Sequence, residues 1–280
     1  MNTINKETEK LSVRVETGAI ICIATCVLLL FSGVDWFLNT VVAFLCLQAI
    51  FELYRATGAK NNRILYGISC MIAAILSYIS IPYYEIVTGI LFAVAVVFFL
   101  YLMLNIKRIQ SIHPAVSALT ACLIVCFYKA MSYIRSEKFG FYIFALSLLI
   151  CNVDDIAAYF VGRGCGKHKL APVISSNKTV EGSIGGVACS VAFFLLFGFI
   201  LDKAGVVSVC YERLTVYLIL ASLIGQFGDL AMSSIKRITK IKDYGTLLPG
   251  HGGILDRFDS LLFVLPFTYL FCLWQGPIFF

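Results

Sequence analysis

A chain of 280 residues that is 60% hydrophobic and 14% charged, with a mean hydropathy of +0.91, lies far from soluble globular domains, in which about a quarter of residues are charged. The formal charge of +6 suits anionic headgroups, is mostly explained by topology signals, and gives no reason to expect a nucleic-acid partner. The composition points to an all-α, polytopic integral membrane protein held in a lipid bilayer.

Residues 1–17 alternate charged and apolar positions (Lys6, Glu7, Glu9, Lys10, Arg14, Glu16) and read as a cytoplasmic or interfacial lead-in. Apolar runs follow near 18–31, 36–51, 64–81, 86–104, 115–134, 139–160, 184–201, 214–235 and 255–274. Each approaches the roughly 20 residues that a spanning helix needs, so about nine transmembrane helices are expected. The first run carries no cleavage-site pattern that would remove it. Residues 18–138 read as N-terminal scaffold helices, with basic connections at 55–63 and 107–113. Residues 139–280 read as the region carrying chemistry, because there charges enter the ends of runs and the runs themselves.

Cytoplasmic connections carry the Lys/Arg excess. With the N-terminus inside, only Arg135, Lys138, Lys203 and Arg213 fall outside. Every other cation falls inside except Lys129, which lies within the fifth run and either snorkels or meets a buried acid. The expectation is therefore a cytoplasmic N-terminus, with the glycine-rich charged loops 162–182 and 236–259 on the cytoplasmic face of a cell inner membrane or its equivalent. Most of the eleven cysteines lie in apolar runs and no CxxC pair occurs, so neither a disulfide framework nor a zinc site is indicated.

Asp154 and Asp155 come near the end of the sixth run. If that helix continues to Gly162, Asp155 lies about 10 Å below its end and should face a polar cavity; if the helix stops early, both acids meet water. The next loop holds Arg163, Lys167, Lys169, Ser175, Lys178, Thr179 and Glu181 among glycines, which let backbone N–H groups approach an anion while lysines supply charge for phosphate oxygens. Its alternative is a flexible basic loop, and no P-loop spacing is present. Asp229, Asp243, Asp256 and Asp259 offer hard oxygen donors suited to Mg²⁺. On one straight helix Asp229 and Asp243 would be about 21 Å apart, so a shared metal requires the chain to turn back after about Arg237. Asp256 and Asp259 also fit a plain role at a helix N-terminus, and His251 that of an ordinary loop residue.

Taken together, Ser233-x2-Lys236-Arg237-x4-Lys242-Asp243-x5-Pro249-x-His251-Gly252-Gly253-x2-Asp256-Arg257-x-Asp259 resembles the signature of the phosphatidate cytidylyltransferase, or CDP-diacylglycerol synthase, family. The stretches Asp155-x3-Tyr159-Phe160-x-Gly162-Arg163 and Lys178-Thr179-x-Glu181-Gly182 resemble further elements of it. Departures are Ala231-Met232 where the family commonly has an acid, Ser176 where it has proline, and Ala157 where it has glycine.

The resemblance implies transfer of the cytidylyl group of CTP to phosphatidic acid, giving CDP-diacylglycerol and pyrophosphate. It implies Mg²⁺ or another divalent cation on Asp229 and Asp243, and Lys236, Arg237, Lys242 and Arg257 holding the two anionic substrates. His251, Gly252 and Gly253 would shape the nucleotide pocket, and Asp256 and Asp259 would orient cations or metal-bound water. Asp155, Arg163, Ser175, Lys178, Thr179 and Glu181 complete the expected substrate-binding set. A homodimer is also within this expectation. The alternatives are a CTP-dependent kinase of a polyprenol or phytol type and a membrane transporter.

Overall fold

The computed structural model describes residues 2–81, 83–109, 112, 114–276, 278 and 279, with only the backbone of 2–14, 114 and 115. Among them the chain forms α1 (Asn2–Phe31), α2 (Asp35–Ala56), α3 (Arg63–Tyr78), α4 (Tyr84–Leu104), α5 (Pro114–Ser136), α6 (Gly140–Cys165), α7 (Val180–Lys203), α8 (Tyr211–Ile238) and α9 (Asp259–Gln275). The only strands among the described residues are β1 (Lys169–Ala171) and β2 (Ser175–Thr179), an antiparallel pair between α6 and α7. An all-α membrane fold is thus observed, with a small hairpin in what the sequence suggests is a loop. Gln110, Ser111 and His113 of the expected basic connection 107–113 lie outside the described residues.

Among the described residues, six helices are long and apolar enough to cross a membrane: α2, α4, most of α5, α6, α7 and α8. Val15–Phe31 of α1, α3 and α9 are apolar but shorter, so the count of nine crossings stays an expectation. The lead-in is continuous with the first apolar run in α1.

One core joins the two halves of the chain. Phe263 of α9 meets Phe92 and Phe99 of α4, Phe127 of α5 and Phe227 of α8, with ring centroids 5.5–6.4 Å apart. Such tilted and edge-on contacts suit aromatic quadrupoles. Behind them Tyr84 stacks on Tyr133 at 3.9 Å, and its hydroxyl donates to the Cys126 carbonyl at 2.6 Å. Large apolar side chains on α4 and α7 instead point outward, among them Val97, Leu104, Phe193 and Leu196, as expected of faces turned to lipid.

Close approach of α6 and α7 depends on small residues. A Cβ on Gly182 would come within 2.7 Å of the Ala158 carbonyl oxygen and 3.0 Å of the Gly162 Cα. The two backbones therefore meet where β2 feeds into α7, and this contact forms one wall of the cavity described next.

Candidate active site

The cavity lies where the C-terminal half of α6, the β1–β2 hairpin, the start of α7, the C-terminal half of α8 and Arg257 converge. It encloses about 700 Å³. Its lining includes Asp155, Arg163, Ser175, Lys178, Asp229 and Arg257.

α6 runs past Gly162 to Cys165, so it does not stop early and both neighbouring aspartates are helical. They face differently. Both line the cavity, but Asp155 is exposed, whereas Asp154 is buried and accepts from the Ser222 hydroxyl and, at 3.0 and 3.2 Å, from the Gln226 amide. Gln226 also donates to the Ser183 carbonyl at 3.1 Å and accepts from the Ser183 hydroxyl, tying α6, α7 and α8 together at the cavity wall. The sequence alone marks Asp154 only as the neighbour of Asp155, and does not mark Ser183, Ser222 or Gln226. A signal was present, since Ser222, Gln226, Asp229 and Ser233 recur at helical spacing along an otherwise apolar run.

β2 carries Lys178 into the cavity, where its ammonium pairs with Asp229. Asp229 also accepts from the Ser233 hydroxyl at 3.2 Å. Burial works against the Lys178 charge, but Asp229 and then Asp155 hold its pKa above the ordinary lysine value. Thr179 has extended backbone and caps α7, its hydroxyl accepting from the Gly182 N–H at 3.1 Å. Glu181 turns back onto the loop, accepting from the Lys167 and His168 N–H groups at 3.0 and 3.2 Å and meeting His168 Nδ1 at 2.6 Å. Thr179 and Glu181 thus shape the hairpin, while Ser175 and Arg163 line the cavity. Arg163 Nη1 also donates to the Tyr159 hydroxyl at 3.2 Å.

The chain does turn back after α8. The reversal comes at Lys240, whose φ of 58° is left-handed, with the Ile241 N–H closing onto the Lys236 carbonyl at 2.9 Å. This is a helix C-terminal arrangement most often given to glycine. The returning segment lies against α8, and the Tyr244 hydroxyl donates to the Met232 carbonyl at 2.8 Å. Burial and the charges of Asp256 and Asp259 keep that phenol well above its ordinary pKa, so it is a neutral donor. Asp243 precedes it and is exposed.

Asp256 organises the turn. One oxygen accepts from Lys236 Nζ at 2.9 Å, and the other from the Tyr244 and Gly253 N–H groups at 2.7 and 2.9 Å. Lys236 is only 8% exposed and also sits 3.8 Å from Asp259 and 5.4 Å from the Tyr244 ring centroid, so its buried charge is matched on several sides. Asp259 opens α9, accepts from the Ser260 N–H at 2.8 Å and lies close enough to Asp229 and Asp155 for their charges to act on it.

Of the remaining sequence candidates, Arg237 is exposed and its Nε donates to the Ile174 carbonyl of the hairpin at 2.8 Å. Lys242 is exposed. Gly252 has a left-handed φ of 85° and pairs with Leu248, while His251 Nδ1 is buried with no hydrogen-bond partner among the described residues. The structure thus brings Asp155, Lys178, Asp229 and Arg257 to one cavity and builds Lys236, Tyr244, Gly253, Asp256 and Asp259 into the adjoining turn. No group of three or more His, Cys, Asp or Glu side chains with metal-holding geometry is found among the described residues.

Fold and cavity define a polytopic helical membrane protein with a charged cavity at one end of its bundle. A model of the cytidylyltransferase family matches residues 12–274, and the chain belongs to that family. Phosphatidate cytidylyltransferases are among its relatives. The chain is 39% identical over 176 residues to that of Staphylococcus saprophyticus, covering 63% of this chain and 65% of the relative. For Bacillus subtilis the figures are 42% over 146 residues, with 52% of each chain covered, and for Staphylococcus aureus 51% over 132 residues, with 47% and 48% covered. The matched stretches therefore span about half to just under two thirds of the length of these relatives.

Proposed function

We propose that the protein is a phosphatidate cytidylyltransferase acting on CTP and phosphatidic acid in the bilayer. The observation that carries this reading is the Lys178–Asp229 pair in a cavity that Asp155, Arg163, Ser175 and Arg257 also line. That wall alternates cations with hard oxygen donors, as two anionic substrates require. The names of the relatives support the same reading.

In the reaction a phosphate oxygen of phosphatidic acid attacks the α-phosphorus of CTP. The bond from that phosphorus to the oxygen bridging to the β-phosphate breaks, and pyrophosphate leaves with the electron pair. The lipid phosphate is its own nucleophile, so the protein's task is positioning and charge neutralisation. Arg163, Arg257 and Lys178 offset the repulsion between the substrates, while Asp155 and Asp229 keep Lys178 charged.

Asp155 and Asp229 both act on the one ammonium of Lys178, and carboxylate oxygens around a single positive charge are donors that fit Mg²⁺. In this reading Asp229 and Asp243 hold the ion, the reversal at Lys240 bringing the Asp243 segment back along α8. Mg²⁺ or another divalent cation, when bound, would supply neutralisation of charge on triphosphate oxygens. The reading also includes nine crossings, a cytoplasmic cavity and a homodimer, the last checked by crosslinking in native membranes.

The test is a product assay on purified protein with doubly labelled CTP. Cytosine label retained in the lipid is the expected result. Label only from the γ-phosphate in the lipid would make the protein a kinase, and substrate accumulation in sealed vesicles without CTP turnover would make it a transporter.

A further inference from the structure

Glu52 lies near the end of α2, in the half of the chain expected to be scaffold, and is only 1% exposed. Its carboxylate reaches across to the signature turn. Oε1 accepts from the Ile254 N–H at 3.0 Å, Oε2 from the Leu255 N–H at 2.8 Å, and Gln48 Nε2 donates to Oε1 at 3.0 Å. No cation pairs with it among the described residues. A carboxylate this buried is held by those donors, and each is charge-assisted.

Two signature glycines make the room. A Cβ on Gly253 would stand 2.3 Å from Glu52 Oε2, and one on Gly245 2.5 Å from Oε1. From the same helix, Arg55 Nη2 donates to the Tyr244 carbonyl at 3.3 Å. Ile254 and Leu255 directly precede Asp256 and Arg257. A shift of their amides therefore moves the carboxylate that holds Lys236, the Tyr244 N–H and the Gly253 N–H.

We propose that Glu52 is a positioning residue for the reaction: its two carboxylate oxygens fix the Ile254 and Leu255 amides and so set where Asp256, Arg257 and Asp259 stand. The inference rests on the cytidylyltransferase reading for its kinetic consequence and on the geometry alone for its structural one.

The test compares wild type, Glu52→Gln and Gln48→Leu in detergent, by kinetics with CTP and phosphatidic acid and by hydrogen exchange of peptides spanning 250–258 and 143–150. Glu52→Gln places an amide N–H₂ against a peptide N–H. The expected result is a kcat at least tenfold lower with a KM for CTP within about threefold of wild type, and faster exchange in 250–258 alone. Gln48→Leu, which removes one donor to the same carboxylate, should show the same pattern at about threefold in kcat, and it decides the matter if Glu52→Gln does not fold. Wild-type kcat and exchange in the folded variants would overturn the positioning role. A wild-type protein that makes no CDP-diacylglycerol would overturn the functional reading instead, with the exchange difference still deciding the role of Glu52.

Discussion

The ammonium of Lys178 on β2 is paired with the carboxylate of Asp229 on α8, joining the hairpin to the helix that leads into the signature turn. Neither side chain is more than a quarter exposed, and Asp155 adds a second negative charge facing the same lysine. The arrangement places one cation between two acids at a site suited to phosphate. Charge therefore ties strand and helix to each other.

Lys178→Met removes the cation and leaves Asp229 with the Ser233 hydroxyl as its remaining hydrogen-bond donor. Losing a charged partner at a partly buried site costs about 2 kcal/mol, and turnover should fall by at least two orders of magnitude in the labelled-CTP assay. Lys178→Arg should recover part of the stability and less of the activity, because a planar fork cannot replace a point charge in the same space. Turnover near wild type in the methionine variant would take Lys178 out of the site.

The pH dependence of the same pair has a definite sign. With its pKa held above the ordinary lysine value, Lys178 contributes stability that is fully present below the unfolded value, about 10.4, and is lost as the pH rises through the folded value. Thermal unfolding followed between pH 7 and 10 should therefore show no alkaline loss that Lys178→Met abolishes. A loss beginning near pH 8 that the variant removes would contradict the charge arrangement.

Asp243→Asn tests the metal proposal. The side chain is exposed, so the protein should fold and elute as wild type does, while turnover that depends on added Mg²⁺ disappears. Asp229→Asn should lose turnover too, but with reduced stability, since it also breaks the pair with Lys178. If Asp243→Asn keeps a normal Mg²⁺ dependence, the ion is held elsewhere, with Asp155 and Asp259 as the next carboxylates to substitute.

How far these features could be read in advance differs from one to the next. Helices long in apolar residues were legible because hydropathy alone defines them, as the run 139–160 illustrates, which overlaps α6 (Gly140–Cys165) in all but its first residue. The run 255–274 starts too early, since Leu255 is buried in the turn and α9 opens only at Asp259. The hairpin was illegible because Ser175-Ser176-Asn177-Lys178-Thr179 has no apolar alternation to mark a strand. The reversal comes at Lys240, close after Arg237 as a shared metal requires, yet the residues that usually mark a turn, Gly245, Pro249 and Gly250, stand further on; tertiary contacts such as Tyr244 to Met232 hold a residue that lacks glycine's freedom. Glu52 could not be found by spacing at all, because its partners lie about two hundred positions further on.

Tyr244 offers a measure of how much the folded-back segment depends on that one contact. Tyr244→Phe keeps the ring beside Lys236 but removes the hydroxyl that reaches the Met232 carbonyl, a carbonyl already within α8. A neutral hydrogen bond of this kind is worth about 1 kcal/mol net, so a lower unfolding midpoint is expected along with a modest loss of turnover. For topology, a cysteine in this segment is better placed at exposed Thr246 than at Gly245, whose missing side chain leaves space for Glu52. With exposed Cys165 replaced, Thr246→Cys should react with an impermeant maleimide only from the cytoplasmic side of sealed vesicles. Labelling from the opposite side would invert the orientation read from the cation distribution and put the cavity on the face where CTP is absent.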